Sequence, residues 1–176
     1  NNFGPNVLYR NNGEGSFTDV TQAAGVANQA KVGAGTSFLD MDKDGDLDLY
    51  VSNYLDFAYD KHVARSQMGF PVYASPRCYA PLPDTLFRNN GDGTFTDVTA
   101  AAGLENEVDT FVHTWSDVDR DGFIDLFIAN DFWIEDWIFM NNGDGTFTEQ
   151  LQFGDGSTDA VAWADGDGDG DLDLAV

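Results

Sequence analysis

The sequence has little positive charge. Lysine and arginine number 8 against 31 aspartate and glutamate residues, which gives a formal net charge of −23. A chain this acidic repels nucleic acid and anionic membrane surfaces. The composition therefore favours cations as partners and predicts no nucleic-acid binding.

Cysteine and long apolar runs are also scarce. Cys78 is the single cysteine, so no disulfide can close within this sequence and no Cys-based zinc or redox motif is present. Cys78 could pair with another segment, join another chain or stay free, and the sequence does not decide among these. No run approaches the roughly 18 apolar residues of a membrane span, and the first residues do not form a signal peptide. We expect no membrane span in this segment.

What the sequence does contain is three acidic loops with the pattern D-x-D-x-D-G-x-x-D. Carboxylates occupy loop positions 1, 3, 5 and 9, glycine occupies position 6, and the backbone carbonyl of position 7 can complete a metal shell. The predicted side-chain ligands are Asp40, Asp42, Asp44 and Asp48 in the first loop, Asp117, Asp119, Asp121 and Asp125 in the second, and Asp165, Asp167, Asp169 and Asp173 in the third. The predicted carbonyl ligands are those of Asp46, Phe123 and Asp171.

Calcium is the metal that these loops favour. It takes six to eight oxygen ligands, whereas magnesium requires a strict octahedron and zinc prefers His or Cys. An EF-hand would need a bidentate Glu at position 12, where this chain has Val51, Ile128 and Val176. The alternative is an ordinary Asp/Gly turn, but four close carboxylates without a cation repel one another. The sequence predicts three structural calcium sites.

Each acidic loop alternates with a second motif that predicts a β-hairpin. It begins at Val7, Thr85 and Trp137 as VLYRNNGEGSFTDVT, TLFRNNGDGTFTDVT and WIFMNNGDGTFTEQL. Asparagine and glycine supply the positive φ angles of a tight turn. Apolar residues alternate after each acidic loop, as in Leu47, Leu49 and Val51, which indicates a strand. The equivalent aromatic residues before the loops, Phe38, Trp115 and Trp163, are expected to pack between adjacent sheets.

Four antiparallel strands per repeat are typical of a β-propeller blade, so the predicted fold is all-β. The first aspartates of the second and third loops, Asp117 and Asp165, are 48 positions apart, which matches the length of one blade. We interpret 1–176 as a single partial propeller of about three blades, with a beaded array or open solenoid as the alternative. The predicted units are a half blade at 1–24, a full blade at 32–103 with an insertion at 54–84, a full blade at 109–153 and a half blade at 158–176.

The insertion is the predicted partner-binding surface. In an antiparallel blade it emerges on the face opposite the calcium loops, and long insertions on a rigid scaffold often carry recognition. Aromatic residues and arginine are typical of interfaces. The candidate contact residues are Tyr59, Arg65, Phe70, Tyr73, Arg77 and Tyr79. The alternative is a loop that caps its own blade with its aromatic side chains buried.

The loops DMDKDGDLDL, DVDRDGFIDL and DGDGDGDLDL, joined to LFRNNGDGTFTDVT and AAGL, resemble the FG-GAP or VCBS repeats of integrin α-like propellers. They look closest to the cartilage-acidic-protein-like and UnbV-type group. The resemblance covers nearly the whole chain except 54–84. It implies a larger propeller of seven blades located outside the cytoplasm, with calcium ligands at the positions named above. It also implies a role in adhesion or recognition, because such propellers act mostly in this way.

No catalytic residue is predicted, because the chain has no Ser/His/Asp arrangement, phosphate loop or nucleophile elbow. His113 is expected to be a strand side chain, and His62 lies in the insertion. The favoured hypothesis is an extracellular, cell-surface or periplasmic module that recognises a protein or glycan. A structural subunit of a surface assembly is one alternative. The other is the scaffold of a carbohydrate-active enzyme, for which the candidate acids are Asp56, Asp60, Asp84 and Glu135.

Overall fold

The fold is built from antiparallel sheets and short turns. A computed structural model describes residues 4–29, 31–105, 110–131, 134–153, 158 and 160–175. Val176, which the sequence places in a strand, lies outside these residues. No helix in the described part of the chain is long and apolar enough to cross a membrane.

Within the described residues, fourteen strands alternate with one short helix and two 3-10 turns. In chain order they are β1 Tyr9–Asn11, β2 Phe17–Asp19, helix α1 Thr21–Ala24, β3 Gly33–Leu39, β4 Asp48–Asn53, the 3-10 turn Tyr59–Lys61, β5 Arg65–Gln67, β6 Phe70–Val72, the 3-10 turn Pro76–Cys78, β7 Thr85–Asn89, β8 Phe95–Asp97, β9 Thr110–Ser116, β10 Asp125–Asn130, β11 Asp136–Asn141, β12 Phe147–Phe153, β13 Ala162–Ala164 and β14 Asp173–Ala175.

The strands form two four-stranded sheets and three two-stranded sheets. The four-stranded sheets have the orders β3-β4-β7-β8 and β9-β10-β11-β12, and every pair in them is antiparallel. Strands β1-β2, β5-β6 and β13-β14 form the two-stranded sheets. The architecture is therefore all-β, as the sequence predicts.

The asparagine-glycine turns close the hairpins as their motif predicts. The side chain of Asn89 accepts a hydrogen bond from the Gly91 backbone N–H at 3.0 Å, and that of Asn141 accepts one from Gly143 at 2.9 Å. Gly91 and Gly143 have φ angles of 75° and 73°, a region that favours glycine. The hairpins are thus set by local chemistry.

The second strands of the four-stranded sheets are buried on both faces. Every residue of β4 and of β10 is buried, not only the alternating apolar ones. The expected alternation is also wrong at its start, because Leu47 precedes β4 and is 54% exposed. A second strand is covered on each side by neighbouring sheets or linkers, so both of its faces must be apolar or hydrogen-bonded.

Aromatic side chains pack between adjacent sheets. Trp115 of β9 meets the ring of Tyr50 of β4 at 5.3 Å between centroids, and Trp163 of β13 meets Phe127 of β10 at 6.1 Å. These contacts confirm the predicted role of both tryptophans. The third predicted residue, Phe38, is exposed at the edge of a cleft that also involves Val7.

The AAGV and AAGL linkers contribute to the core. Ala24 and Val26 are buried in one linker, and Ala102 and Leu104 are buried in the other. The backbone N–H of Phe147 donates to the Ala102 carbonyl at 2.8 Å, which ties the second linker to the following sheet. The linkers therefore join neighbouring sheets rather than only connecting them in sequence.

The insertion connects β4 to β7 and folds on its own hairpin. It contains both 3-10 turns and the strands β5 and β6. Leu55 and Pro81 form a β-bridge that closes its base. The first acidic loop precedes β4 and the insertion follows it, so the two lie at opposite ends of this strand.

Candidate functional site

Three equivalent carboxylate clusters are the main candidate site. In each acidic loop the aspartates at positions 1, 3 and 9 offer oxygens that all lie within 4.8 Å of one another. Oxygens 2.3 to 2.6 Å from a calcium ion are at most about 5 Å apart, so this spacing suits a shared cation. The clusters are Asp40, Asp42 and Asp48; Asp117, Asp119 and Asp125; and Asp165, Asp167 and Asp173.

The aspartate at position 9 is anchored by the strands. Asp48 begins β4 and is buried, and its carboxylate accepts backbone N–H bonds from Met41 at 3.0 Å and Asn89 at 2.8 Å. Asp125 accepts equivalent bonds from Val118 and Asn141, both at 2.8 Å. This residue therefore joins the acidic loop to the strand that follows and to the adjacent hairpin.

The aspartate at position 1 provides the clearest test of whether a cation fits. Asp40 Oδ1 and Asp117 Oδ1 are buried and have no hydrogen-bond partner. A buried carboxylate oxygen without a partner is costly, and a bound cation removes that cost. The donor set is all oxygen, which suits calcium rather than zinc. The residues present therefore fit a calcium ion.

Burial of the position 9 aspartate makes the first two clusters costly in the absence of a cation, whereas the third cluster is exposed. Desolvation raises the pKa of Asp48 above its usual value, and backbone hydrogen bonds from Asn89 and Met41 oppose this. The charges of Asp42 and Asp44 raise the pKa further. Asp125 has a pKa raised by the same causes, with desolvation again the largest. A cation between the carboxylates would stabilise their ionised form.

The aspartate at position 5 is not part of the three clusters. Asp44 Oδ1 instead accepts the Asp46 N–H at 2.8 Å, and Asp121 Oδ1 accepts the Phe123 N–H at 2.7 Å. Asp169 accepts the Asp171 N–H at 2.8 Å in the same way. Each bond curls the loop toward position 7. Coordination by position 5 and by the position 7 carbonyl stays a prediction.

The loops also contact one another, which the sequence did not reveal. The Lys43 ammonium of the first loop lies 3.6 Å from the ring centroid of Phe123 in the second. Arg120 of the second loop forms an ion pair of 2.9 Å with Asp171 of the third. Lys43 and Arg120 both occupy position 4, and their targets both occupy position 7. A basic residue at position 4 of two otherwise acidic loops was the sequence signal that could have indicated these contacts between loops.

His113 belongs to a half-buried polar network between the two large sheets. Its Nε2 is 2.8 Å from Ser37 Oγ and its Nδ1 is 3.0 Å from Ser52 Oγ. Ser52 donates to the Gly35 carbonyl, and Trp115 donates to Ser37. This arrangement lets Nδ1 donate to Ser52 while Nε2 accepts from Ser37. It suits neutral imidazole, and burial lowers the His113 pKa to about 4.

His113 should make the folded state sensitive to acid. The unfolded chain takes up a proton below about pH 6.5, whereas folded His113 stays neutral to about pH 4. Stability therefore falls as the pH drops through this window, by about 2 kcal/mol between pH 7 and pH 5. Urea unfolding of the His113→Gln variant in calcium should show a flatter pH profile by that amount. The matched variant His62→Gln should keep the wild-type slope; equal slopes in all three proteins would contradict the assignment.

Asp84, one of the acids considered for catalysis, has a structural environment. It is buried and accepts hydrogen bonds from the Asn53 N–H at 2.7 Å, the Tyr50 hydroxyl at 2.7 Å and the Thr110 hydroxyl at 2.9 Å. Asp56 forms an ion pair with Lys61 at 2.6 Å. These contacts favour a stabilising role for both residues over a catalytic one.

The predicted partner-binding residues lie in different parts of the insertion, and three of them line one cavity. Tyr59, Tyr73 and Tyr79 line a cavity of about 530 Å³. Phe70 and Arg65 lie on the exposed β5-β6 hairpin. Arg77 is in the 3-10 turn beside Pro76, which lines the cavity. The lining also includes Tyr54, Phe57 and His62, which were not among the predicted contacts.

Comparison with known sequences agrees with this repeated architecture. A sequence model described as the FG-GAP-like repeat matches residues 1–51, 74–128 and 117–176. The three matches cover most of the chain and leave out residues 52–73, which form the larger part of the insertion.

The chain is also similar to three curated proteins named cartilage acidic protein 1. It is 29% identical to the Mus musculus and Homo sapiens proteins over 165 residues, which covers 74% of this chain and 26% and 25% of theirs. It is 35% identical to the Xenopus tropicalis protein over 54 residues, which covers 31% of this chain and 8% of that protein. The chain thus spans about a quarter of the length of the first two relatives.

Proposed function

This chain belongs to the FG-GAP-like repeat family, and we propose that it is part of a calcium-stabilised β-propeller that recognises a protein or glycan outside the cytoplasm. Calcium would be held by the three carboxylate clusters, with the position 5 carboxylates and position 7 carbonyls completing each shell. The proposed role of the metal is structural, and the module is non-catalytic.

The observation that carries this proposal is the pair of buried, unpartnered oxygens on Asp40 and Asp117. They occupy the same position in two tandem repeats, beside carboxylates at the same spacing. A surface that was acidic only for solubility would expose such oxygens to water. Their burial supports the proposal that bound cations stabilise one end of each sheet.

The propeller architecture is supported by the two four-stranded sheets and by the contacts between them. Tyr50 and Trp115 join the sheets through their rings, and Ser37 joins them through His113. Packing of adjacent blades through buried faces is the principle of a propeller. A location outside the cytoplasm is supported by the similarity to cartilage acidic protein 1, and by millimolar calcium there, which weak sites require.

Recognition can be tested with the purified chain on printed arrays of matrix proteins and glycans. In 5 mM calcium we expect labelled chain to bind a small set of spots, and binding should be lost in chelator because the scaffold loosens. Binding that chelator does not change would contradict a calcium-stabilised recognition module.

The same glycans test the carbohydrate-active alternative. They would be incubated with the chain in calcium and analysed for new reducing ends. We expect none, because Asp84 and Asp56 are held by structural contacts. Release of new reducing ends would favour the enzyme scaffold instead.

A further inference from the structure

The insertion forms an aromatic cavity at the end of β4 that is opposite the first acidic loop. Its volume is about 530 Å³, which is within the size range of small-molecule and side-chain pockets. Apart from His62 and the tyrosine hydroxyls, the lining is almost entirely carbon, with Leu55, Phe57 and Pro76 among it. A cavity of this kind is suited to an apolar group.

The cavity wall is held in place by contacts among its own rings. Phe57 makes edge-to-face contacts with Tyr59 at 5.7 Å and with Tyr79 at 5.1 Å. The Tyr79 hydroxyl lies 3.3 Å from His62 Nδ1. A ligand that enters a wall already assembled loses less conformational entropy on binding. The site therefore has the preorganisation that recognition requires.

The base of the cavity is fixed to the neighbouring sheet. The Tyr54 hydroxyl donates to Asp131 Oδ2 at 2.5 Å, and its ring meets that of Phe111 at 6.1 Å. The bridge between Leu55 and Pro81 closes the base of the insertion. The cavity is thus supported by the rigid sheets and not only by its own loop.

Apolar side chains of the insertion are left open to solvent. Met68 at the β5-β6 turn is 92% exposed, Phe70 is 72% exposed and Tyr73 is 99% exposed. A loop that only capped its own blade would bury these side chains. Exposed aromatic and methionine side chains on one insertion are typical of a protein interaction site.

Charge separates this surface from the rest of the molecule. The insertion, residues 54–84, contains three basic residues, Lys61, Arg65 and Arg77, and three acids, Asp56, Asp60 and Asp84, which leaves five basic and 28 acidic residues elsewhere. Lys61 is paired with Asp56. Arg65 lies opposite Val72, the neighbour of Tyr73, and Arg77 follows Pro76. Each arginine is therefore close to a residue that lines the cavity, Arg65 to Tyr73 and Arg77 to Pro76, in an otherwise acidic chain.

We propose that the insertion binds a protein segment that places one apolar side chain in the cavity and carries acidic residues against Arg65 and Arg77. This rests on the proposed recognition function and names the class of partner. A glycan would bury hydroxyl groups that the carbon lining cannot satisfy, whereas an apolar side chain needs no such partners. Acidic flanking residues would be attracted to Arg65 and Arg77 locally, whereas the acidic surface elsewhere on this chain would repel them.

A defined peptide array tests this inference. Each 12-residue peptide would have Trp, Leu or Ala at its centre and acidic, neutral or basic flanks. We expect peptides with Trp or Leu and acidic flanks to retain at least about ten times more labelled chain than those with Ala. Basic flanks should weaken binding, although the net charge of −23 alone would attract basic peptides most. Strongest binding to basic flanks, or no preference for the centre residue, would overturn the proposal.

Matched variants locate the binding. Tyr73→Ala and Arg65→Glu should each weaken binding of the acidic Trp peptide by at least about ten-fold. Tyr9→Ala and Arg10→Glu change exposed side chains of the same types outside the insertion and should bind like wild type. All four proteins should show the same melting temperature in calcium, which excludes unfolding. Unchanged binding by both insertion variants would overturn the assignment of the surface.

Failure of this inference can be told from failure of the recognition proposal. If a glycan is captured in calcium and Tyr73→Ala or Arg65→Glu removes that capture, the partner class is wrong and the recognition module stands. If peptides follow the expected order but chelator changes neither melting nor capture, the calcium-stabilised module is wrong and the cavity assignment stands.

Discussion

Removal of calcium is expected to lower the melting temperature of this chain by at least about 6 °C, because each site stabilises only the folded state. Sites of an extracellular kind have dissociation constants of about 0.1 to 1 mM, so 5 mM calcium adds about 1 to 2 kcal/mol per site. Three sites add about 3 to 6 kcal/mol, and in a chain of this size each kcal/mol corresponds to about 2 to 4 °C. Thermal unfolding by circular dichroism in calcium and in chelator measures the difference.

Two controls make this measurement specific. Calcium added back in excess should restore the melting temperature, and magnesium at the same concentration should restore much less of it, since magnesium gives up its waters reluctantly. Sodium chloride of equal ionic strength measures the screening of the −23 charge alone. Recovery with sodium chloride equal to that with calcium would mean that screening, and not binding, explains the effect.

Replacement of Asp125 is expected to have the largest effect of any single change in the acidic loops. Asp125→Ala removes a ligand of the second site and leaves the N–H groups of Val118 and Asn141 without their acceptor. Unsatisfied buried donors cost about 1 to 3 kcal/mol each, so with the lost metal we expect a loss of about 3 to 5 kcal/mol in calcium. Urea unfolding at constant calcium measures it.

The stability that calcium adds distinguishes the two parts of this loss. In Asp125→Ala it should fall to about two thirds of the wild-type value, because two of the three sites remain. The matched change Asp60→Ala removes an exposed aspartate outside the loops and should alter stability by less than about 0.5 kcal/mol. An unchanged calcium increment in Asp125→Ala would mean that this residue only supports the backbone.

The hairpins and acidic loops could be predicted because their determinants are local. The asparagine that caps each turn and the glycine that follows it are two residues apart, as with Asn141 and Gly143. The aspartates of each cluster lie within nine positions, as Asp40 and Asp48 do. Such short spacings specify a turn and a cluster of carboxylates without knowledge of the remaining fold.

The packing of two tryptophans between sheets was predicted, but the partner residues in neighbouring repeats could not be. Ser37 and His113 are 76 positions apart, and their hydrogen bond depends on the relative placement of two sheets. Lys43 and Phe123 meet for the same reason. The burial of Asp48 was also missed, since its spacing indicated a ligand but not an anchor for Met41 and Asn89. The sequence pattern of a repeat predicts the strands and turns within it. The packing of neighbouring repeats depends instead on contacts between side chains that are far apart in sequence.

The insertion was predicted as a surface, but its cavity was not. Its aromatic content indicated an interface, whereas the choice of Tyr54, Phe57 and His62 as lining residues depends on how two 3-10 turns fold against the sheet. No sequence period governs such a loop. Its irregular backbone is decided by contacts such as the Leu55 to Pro81 bridge.

Isothermal titration of calcium into the chelator-stripped chain tests the three-site interpretation most directly. We predict three bound calcium ions per wild-type chain and two per Asp125→Ala chain, with dissociation constants of about 0.1 to 1 mM. Competition with magnesium should leave most calcium bound. Fewer than three ions in the wild type, or the same number in both proteins, would contradict calcium binding by the three equivalent aspartate clusters.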